Sequence, residues 1–229
     1  MFKRKIHSDY DNEPSKVHHF NSEFIKKYIK NKRVLDVGCW TGQLEKLIVN
    51  RVKSITGIDP DADAIAFAKG NITKGKFMVG TVDKLSLIKE RFDAVTFFDV
   101  IEHIPPKTEE YSLRQINKVL GMNGMLFLST PNNHLLSILL DPAFFLIGHR
   151  HYSIKELVNI LEKNGFIIEE HCFVGGTIFL LNHLLELIKK RIFKTHLKPP
   201  APSNSLIDIG FDKGGYAEIY LIARKIRSV

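Results

Sequence analysis

Short, continuous apolar runs alternate with amphipathic stretches along this chain, which is the pattern of buried strands separated by helices. Seven strands are predicted, at residues 34–37, 54–58, 77–79, 94–98, 125–129, 166–172 and 216–224. Four helices are predicted between them, at residues 43–50, 62–69, 108–120 and 153–164. Strands and helices that alternate in this way predict an α/β fold with a doubly wound sheet.

Two longer segments interrupt this alternation, and an N-terminal segment precedes it. Residues 1–30 are predicted to be a helical segment, and helical insertions are predicted near residues 133–152 and 174–214. Loops of this length are seldom without structure in a compact domain. In the later insertion, Thr177 to Ile192 carries apolar residues at helical spacing, and the proline-rich residues 198–203 predict a linker. All 229 residues are expected to form one domain.

Composition and charge narrow the classes of protein to which the chain can belong. A hydrophobic content of 44% is sufficient for a core, and the two cysteines, Cys39 and Cys172, are too few for a disulfide framework. The basic start is not followed by an apolar run, and no stretch reaches the ~18 apolar residues of a membrane span. We therefore expect a cytoplasmic protein. The net charge of +8 favours a lysine-rich solvated surface, with nucleic acid or an anionic membrane as alternative partners.

The strongest indication of function is a glycine loop between the first strand and the helix that follows it. Gly38 and Gly42 lie in this loop, and Asp59 ends the next strand. Glycines let the backbone approach a ligand closely, and a carboxylate at the next strand tip can accept both hydroxyls of a ribose. The spacing therefore predicts a site for a nucleoside-containing cofactor. A Walker-type phosphate loop is excluded because no Lys-Ser or Lys-Thr follows the glycines, whereas a nicotinamide site and a simple tight turn stay as alternatives.

The residues from Arg33 to Gly42 resemble the first motif of the class I S-adenosylmethionine (SAM) methyltransferases, which reads hydrophobic-Leu-Asp-hydrophobic-Gly-x-Gly-x-Gly. In that family, the acid that matches Asp36 helps to position the amino-acid end of SAM. This chain departs from the pattern at Trp40, which replaces the middle glycine. Trp40 is expected either to shape the methionine pocket or to lie outward over the loop. The resemblance implies SAM as the cofactor and S-adenosyl-L-homocysteine as its product.

Later blocks resemble the ubiquinone-biosynthesis O-methyltransferases and their relatives. Phe92 to Ile104 is similar to the FD-x-V … E-V-L-E-H-V block of that group, and Ser129 to Asn132 and His149 to Ser153 match blocks further along the chain. The resemblance covers about residues 30–172 and implies a Rossmann-like, mostly parallel sheet with a reversed seventh strand beside the fifth. It also implies methyl transfer to a small-molecule, lipid-linked or glycan-linked acceptor, with a hydroxyl as the expected target.

The motif and the resemblance together predict a set of cofactor-binding residues. By the resemblance, Thr81 and Val82 would flank the adenine, and Phe98 would lie near the methionine end of the cofactor. The alternatives are a plain turn for the first two residues and a core aromatic for the third. The full predicted set is Asp36, Gly38, Cys39, Trp40, Gly42, Asp59, Pro60, Thr81, Val82 and Phe98.

His103 is the predicted catalytic residue. It follows the fourth strand, at the carboxyl edge where open α/β sheets bind ligands, and a neutral imidazole can take a proton from a hydroxyl acceptor. Its alternative role is to brace the loop after that strand. Asp99, Glu102 and His103 also have a spacing that gathers three metal ligands on one side of a helical turn. Some ubiquinone O-methyltransferases use a divalent ion at the matching positions, but Asp99 replaces the first Glu of that motif, so the expectation is no metal, with this group as the variant. His149 and His151 are expected to face the acceptor or an acidic group on it, or else to lie at the surface or behind the residues that contact the acceptor.

Two rival functions agree with parts of the sequence. The positive charge favours a nucleic-acid methyltransferase, but the fourth strand ends in Phe-Phe-Asp-Val rather than Asn/Asp-Pro-Pro-Tyr, and the chain has no Pro-Cys nucleophile. Nucleic acid is therefore not the expected partner. A non-catalytic SAM-binding scaffold would need Trp40 to fill the pocket. The apolar insertions are expected to form a lid over the acceptor site and to present either a membrane-facing surface or a contact for a homodimer.

Overall fold

The structure is a computed structural model that describes residues 13–141, 144, 148–192 and 213–229. Its strands, β1 to β7, are Arg33–Val37, Ser54–Asp59, Lys76–Val79, Phe92–Phe98, Leu120–Pro131, Phe166–Val174 and Glu218–Lys225. Its helices, α1 to α7, are Lys16–Ile29, Gln43–Ile48, Ala62–Asn71, Glu109–Val119, Leu135–Leu139, Ile154–Lys163 and Thr177–Ile192. A 3₁₀-helix spans Val82–Leu87, between β3 and β4.

The seven strands form one sheet in the order β3-β2-β1-β4-β5-β7-β6. Strands β1 to β5 pair in parallel, and β7 runs antiparallel to both β5 and β6. The predicted doubly wound, mostly parallel α/β fold is confirmed, and the reversed last strand lies beside β5 as the family resemblance implies. Because the carboxyl ends of parallel strands meet at one edge of a sheet, the loops after β1, β2, β3 and β4 come together there.

The central strands are buried because helices cover both faces of the sheet. Successive residues of β1 point to opposite faces. Val34 therefore packs in one apolar cluster with Phe127 of β5, whereas Leu35 packs in another with Val95 of β4. Helices α1 and α2 complete the first cluster, with Ile25 from α1, and helices α4 and α6 complete the second.

The largest difference from the predicted elements is at β5, which begins at Leu120 rather than Met125. Residues 121–124, which their two glycines predict as a turn, belong to the strand. Leu120 pairs with Phe92 of β4, and the register then shifts before the next paired residue of β4. Residues 121–124 have no paired residue in β4 or β7, so they form an irregularity within the strand between Leu120 and Met125. The pairing of Leu120 is long-range, and the local sequence does not indicate it.

The sequence carries helix-start signals where α3 and α6 begin. Asp61, which directly precedes α3, caps it by accepting hydrogen bonds from two backbone N–H groups of the first turn. Ser153 and Glu156 have the spacing that predicts a capping box, and they form one at the start of α6. Gly165 follows the end of α6 with a φ of +85°, in the left-handed region that ends many helices.

The N-terminal segment and the two insertions each contain a helix among their described residues. Helix α1 lies in the N-terminal segment, α5 lies in the first insertion, and α7 is the helix predicted from Thr177 to Ile192. Residues 1–12, several residues between 142 and 147, and residues 193–212 with the predicted proline linker lie outside the described residues. None of the helices that the structure describes is long and apolar enough to cross a membrane.

Candidate active site and cofactor cavity

A cavity of about 510 Å³ lies at the edge of the sheet where β1, β2 and β3 end. Its volume is within the range of small-molecule sites in proteins, roughly 300–1,000 Å³. Its opposite wall comes from the loop after β4 and from α4. The predicted site residues that line this cavity are Gly38, Pro60, Thr81, Val82 and His103.

Gly38 allows the loop after β1 to pass close to the loop after β4. Its φ of +86° is in the left-handed region, and a Cβ at this position would lie 2.4 Å from Cγ2 of Val100. The backbone N–H of Gly38 donates to the carbonyl oxygen of Ile58 at 2.8 Å, which ties the loop to β2. A side chain at residue 38 would therefore clash in the wall of the cavity.

Asp59 organises the loop after β1 from the tip of β2. Its Oδ2 accepts a hydrogen bond from the backbone N–H of Trp40 at 3.0 Å, and its Oδ1 accepts from that of Asp61 at 2.8 Å. Burial raises the pKa of Asp59 above its usual value despite these two hydrogen bonds. Each carboxylate oxygen has a further lone pair, so Asp59 can also accept from a ligand without releasing the loop.

Three of the predicted cofactor residues support the cavity from behind rather than line it. Cys39 is buried in a small apolar cluster, and burial raises the pKa of its thiol. Gly42 precedes α2 with a φ of +83°, and a Cβ there would lie 2.5 Å from Cδ1 of Ile72. Phe98 packs against Tyr220 of β7, with ring centroids 5.8 Å apart.

Trp40 lies outward over the loop, which is the second of its two predicted orientations. It is 39% exposed and is not among the residues that line the 510 Å³ cavity. Its φ of +48° is in the left-handed region that the glycine of the family motif would adopt without strain. Trp40 therefore does not fill the cavity, although the hypothesis of a non-catalytic scaffold requires it to do so.

A pair of buried acids lies behind the glycine loop. Asp36 of β1 accepts a hydrogen bond from Oγ1 of Thr96 at 2.6 Å, and Glu45 of α2 is buried beside it. Burial raises the pKa of Asp36 to about 6. Burial, together with the negative charge of Asp36, also raises the pKa of Glu45. Two buried carboxyl groups this close do not both ionise readily, so we expect the pair to share a proton near neutral pH.

His103 faces the cavity and stacks on His149, with ring centroids 4.8 Å apart. Partial burial lowers the pKa of His103 below its ordinary value, and the neighbouring His149 and Arg150 lower it further against the opposing effect of Asp141. The imidazole of His103 is therefore neutral at pH 7 and able to accept a proton.

The acids after β4 are arranged differently from the predicted metal-ligand set, because the chain there forms turns rather than a helix. Oδ1 of Asp99 accepts a hydrogen bond from Oγ of Ser129 in β5 at 2.6 Å. Glu102 instead forms a group with His103 and His149, in which ligand atoms lie within 4.8 Å of one another. Asp99 does not belong to this group.

His149 and His151 of the first insertion converge on Asp141. Nδ1 of His149 and Nε2 of His151 lie 2.7 and 2.9 Å from the same oxygen, Oδ2 of Asp141. The side chain of His151 is only 2% exposed. One of the two histidines therefore does not lie at the surface, and that alternative prediction is wrong for His151. A second cavity, of about 90 Å³, is lined by Asp141, His151 and Glu218, by Ser137 of α5 and by two apolar residues of α7.

Sequence reasoning missed four acids of this region. Asp83 lines the cofactor cavity directly after the predicted Thr81 and Val82. Glu45 could have been found, since it lies on the apolar face of α2, where an acid is unexpected. Asp141 and Glu218 gave no local signal, because their surroundings come from elements that are distant in the sequence.

Comparisons with known proteins identify the class to which this fold and cavity belong. Residues 7–171 match a family model described as a methyltransferase domain. The chain therefore belongs to this methyltransferase family, and it is a class I SAM-dependent methyltransferase.

Two ubiquinone biosynthesis O-methyltransferases are among the similar curated proteins. The chain is 30% identical to that of Hydrogenovibrio crunogenus over 132 residues, which are 55% of this chain and 54% of the relative. It is 24% identical to that of Pelagibacter ubique over 185 residues, which are 69% of this chain and 74% of the relative. The chain thus spans about half the length of the Hydrogenovibrio relative.

Solved structures show the same fold. A SAM-dependent methyltransferase from Archaeoglobus fulgidus is similar with a TM-score of 0.64 and 18% identity, covering 91% of this chain and 93% of that one. Magnesium protoporphyrin IX methyltransferase from Synechocystis, solved with bound S-adenosyl-L-homocysteine, has a TM-score of 0.61 and 16% identity, covering 91% and 82%. At these identities, the likeness shows the fold alone.

SAM is the cofactor of this class, and the 510 Å³ cavity fits it in two respects. The loop at Gly38 has no room for a side chain, so its backbone forms the wall. Asp59 does not line the cavity itself but directly precedes Pro60, which does, and it keeps lone pairs that can accept the hydroxyls of a ribose.

The shared proton of Asp36 and Glu45 should make stability depend on pH. Because the folded pKa of Asp36 is raised to about 6, folding favours the protonated acid. Its contribution is full below the unfolded pKa of about 4 and is lost as the pH rises through the folded pKa. Glu45→Gln removes the repulsion, so the unfolding free energy should decline less steeply over this window, by up to about 1.4 kcal/mol per pH unit.

Denaturant unfolding at several pH values between about 4 and about 6 measures this slope. Glu162→Gln, at an exposed position of α6, is the matched control and should keep the wild-type slope. A wild-type slope in Glu45→Gln would contradict the shared proton.

Proposed function

We propose that this methyltransferase methylates a hydroxyl oxygen of a small or lipid-linked acceptor, with His103 as the general base. The observation that carries the proposal is the position of His103, which lines the cofactor cavity as a neutral imidazole. A hydroxyl must lose its proton as its oxygen attacks, and an imidazole with a pKa below 7 is suited to accept it. The names of the two ubiquinone biosynthesis relatives support a hydroxyl target.

The residues of this chain contribute alignment and proton transfer. SAM, when bound, supplies a methyl carbon attached to a cationic sulfur. The acceptor oxygen has to lie in line with that bond, and the walls of the cavity restrict its approach. His103 takes the hydroxyl proton and, because its ring is exposed, releases it to water. The nearby charge of Arg150 disfavours the protonated ring and so promotes this release.

We further propose how the cofactor lies along the edge of the sheet. Asp59 accepts the ribose hydroxyls through its remaining lone pairs. Thr81, Val82 and Asp83 surround the adenine, since all three line the cavity beyond β3. Asp36 positions the amino-acid end, directly or through water, from behind the glycine loop.

Asp59→Ala tests the ribose site. Hydrogen bonds to a charged group contribute roughly 1.5–3 kcal/mol each, so the affinity for SAM should fall at least about tenfold. Isothermal titration calorimetry on the folded variant measures this affinity. Asp63→Ala removes the same charge from the first turn of α3 and should leave SAM binding as in the wild type. Unchanged affinity in a folded Asp59→Ala protein would contradict the assignment.

His103→Gln tests the general base, with an acceptor found by a product-mass survey of quinols, glycans and lipids using labelled SAM. We expect SAM affinity to be unchanged and turnover to fall by the ~10²–10⁴-fold typical of general-base loss. In the wild type, turnover should decrease as the pH falls through a pKa below 6.5, since His103 then becomes protonated. The variant should lack this decrease. His171→Gln, at an exposed position of β6, is the control, and a fully active His103→Gln enzyme would rule out the role.

The two insertions present apolar side chains on the side of the molecule where the 90 Å³ cavity lies. Leu135 and Leu139 of α5, and Ile178 and Leu185 of α7, are each more than half exposed. Both helices also line the 90 Å³ cavity beside Asp141. A contiguous exposed apolar patch usually marks an interaction surface.

We propose that an anionic lipid bilayer covers this apolar surface and presents a lipid-linked acceptor to the site. Charge complementarity supports the bilayer, because the net charge is +8 and Lys189, Lys190 and Arg191 follow the apolar part of α7. Cations beside an apolar helix face suit the interface between anionic headgroups and acyl chains.

Vesicle sedimentation tests this surface. The protein should bind phosphatidylserine vesicles, bind less at higher salt, and bind neutral vesicles weakly. Replacing both Leu139 and Ile178 by serine should weaken binding by at least about 10²-fold, since burying each such side chain contributes roughly 1.5–3 kcal/mol. Leu87→Ser, in the exposed part of the 3₁₀-helix, is the control. If the protein is a stable homodimer and binds no vesicles, the bilayer proposal is wrong and a second copy of the chain covers the apolar surface.

A further inference from the structure

A second group of convergent side chains lies where the first insertion returns to the sheet. We propose that Asp141, His149 and His151 bind a divalent first-row transition metal, with zinc as the expected ion. Nothing in the proposed methyl transfer requires this metal, and its binding is measured without an acceptor. The two proposals can therefore fail independently.

The three side chains meet at one carboxylate oxygen. Nδ1 of His149 and Nε2 of His151 lie 2.7 and 2.9 Å from Oδ2 of Asp141. One ligand atom from each residue lies within 4.8 Å of the ligand atoms of the other two. The side chains are also largely buried, with His151 almost fully enclosed. Two imidazoles and one carboxylate at this separation are a ligand set for a metal ion that keeps one open position.

The hydrogen bonding of His151 directs a lone pair at Asp141. Nδ1 of His151 lies 3.0 Å from the carbonyl oxygen of Asn132, which can only accept a hydrogen bond. The proton of the neutral imidazole is therefore on Nδ1, and Nε2 carries a lone pair. Lone pairs of Nε2 and of Oδ2 then face each other at 2.9 Å unless a proton or a metal ion joins them. Histidines held by a backbone carbonyl in this way are typical of metal sites.

An extra proton on His151 would join His151 to Asp141, but it would provide no partner for two other buried atoms. Nε2 of His149 is buried and has no hydrogen-bond partner among the described residues, and Oε1 of Glu102 is 3.9 Å from it. Oε2 of Glu218 is also buried and unpartnered within the part of the chain that the structure describes. Glu218 lines the same 90 Å³ cavity as Asp141 and His151. With Nδ1 of His149 bound to a hydrated metal ion, its Nε2–H could donate to a water oxygen, and Oε2 of Glu218 could bind the ion or accept a water hydrogen.

The donor set selects the class of metal. Magnesium and calcium prefer oxygen ligands, whereas imidazole nitrogen suits zinc and its neighbours in the first row. Tetrahedral zinc with bonds of roughly 2.0–2.2 Å separates its ligand atoms by about 3.3 Å. The nitrogen and oxygen atoms of this cluster are closer together than that, so metal entry requires each contact to widen by roughly half an ångström.

A rival ligand group shares His149 but uses Glu102 and His103. Oε2 of Glu102 already accepts a hydrogen bond from Thr130 of β5 at 3.1 Å. His103 lines the cofactor cavity, whereas His151 is enclosed and oriented by a backbone carbonyl. The structure therefore favours the group that contains Asp141 and His151.

Metal binding at this group would join the two ends of the first insertion. Asp141 follows α5, whereas His149 and His151 precede the bridge that pairs Tyr152 with Asn132. A metal ion would hold α5 against the sheet beside the 90 Å³ cavity. Because the ion would bind only the folded protein, it should stabilise this wall of the cavity and raise the melting temperature.

Metal binding is measured on tag-free, full-length protein that has been stripped with a chelator. Zinc is titrated in competition with a chromophoric chelator, and cobalt replaces zinc for visible absorption. We expect one ion per chain, with the absorption of a site that contains nitrogen ligands. Asp141→Asn and His151→Gln should each lower zinc affinity by at least about 10²-fold, because loss of a group that only supports a ligand already costs 10–100-fold.

Matched variants locate the site. His171→Gln removes an exposed histidine of β6 and should bind zinc as the wild type does. Glu102→Gln and His103→Gln should also retain wild-type affinity. Loss of binding in these two variants, with retention in His151→Gln, would overturn the proposal in favour of the rival group.

A measurement on the wild type does not depend on the folding of any variant. Saturating zinc should raise its melting temperature, and chelator should reverse the rise. A wild-type protein that shows neither stoichiometric binding nor a melting shift would overturn the proposal.

Discussion

The parallel pairing of β1 with both β2 and β4 is the constraint on which the rest of the site depends. In this register, Asp36 lies opposite Gly57 of β2 and Thr96 of β4. The hydroxyl of Thr96 provides a hydrogen bond for a carboxyl group in the middle of the sheet. Gly57 leaves the space that Glu45 occupies, since a Cβ there would lie 2.6 Å from Oε1 of Glu45. The same pairing brings the strand ends, and with them the cofactor cavity, to one edge.

Buried acids recur along this edge, although burial of a carboxylate is unfavourable without a partner. Asp36 and Glu45 lie behind the cofactor cavity, and Glu102 and Glu218 lie towards the 90 Å³ cavity. Burial is the main cause that raises the pKa of each of the four. Burial therefore favours the protonated form of these acids at positions where an ordinary core would hold apolar side chains. Perturbed acids of this kind concentrate at functional sites, which agrees with the position of both cavities.

The two sides of the site have different origins in the chain. The cofactor side comes from the loops after β1, β2 and β3, within the residues that match the methyltransferase family model. The 90 Å³ cavity draws on α5, on Asp141 and His151, and on α7. Of these, only α7 lies beyond the matched residues, so the family match accounts for the methyl donor but not for this helix.

The sequence by itself determined the α/β sheet, the glycine loop and the carboxylate at the tip of β2. Each of these is a local pattern, such as an apolar run, the glycine at residue 38 or the acid at residue 59, and local patterns can be read without knowing what packs against them. Helix starts at Asp61 and Ser153 were predictable for the same reason. Only the tertiary structure decided that Trp40 lies outward, that β5 extends back to Leu120, and which acids are buried.

The cluster of Asp141, His149 and His151 shows the limit most clearly. The spacing of the two histidines indicated a polar loop, and nothing near Asp141 indicated that both rings would reach the same oxygen. Likewise, Asp99 has the spacing of a metal ligand but turns to Ser129 of β5. Partners and burial depend on which distant segments pack together. That choice is made by the whole sheet and its helices, so a one-dimensional pattern does not contain it.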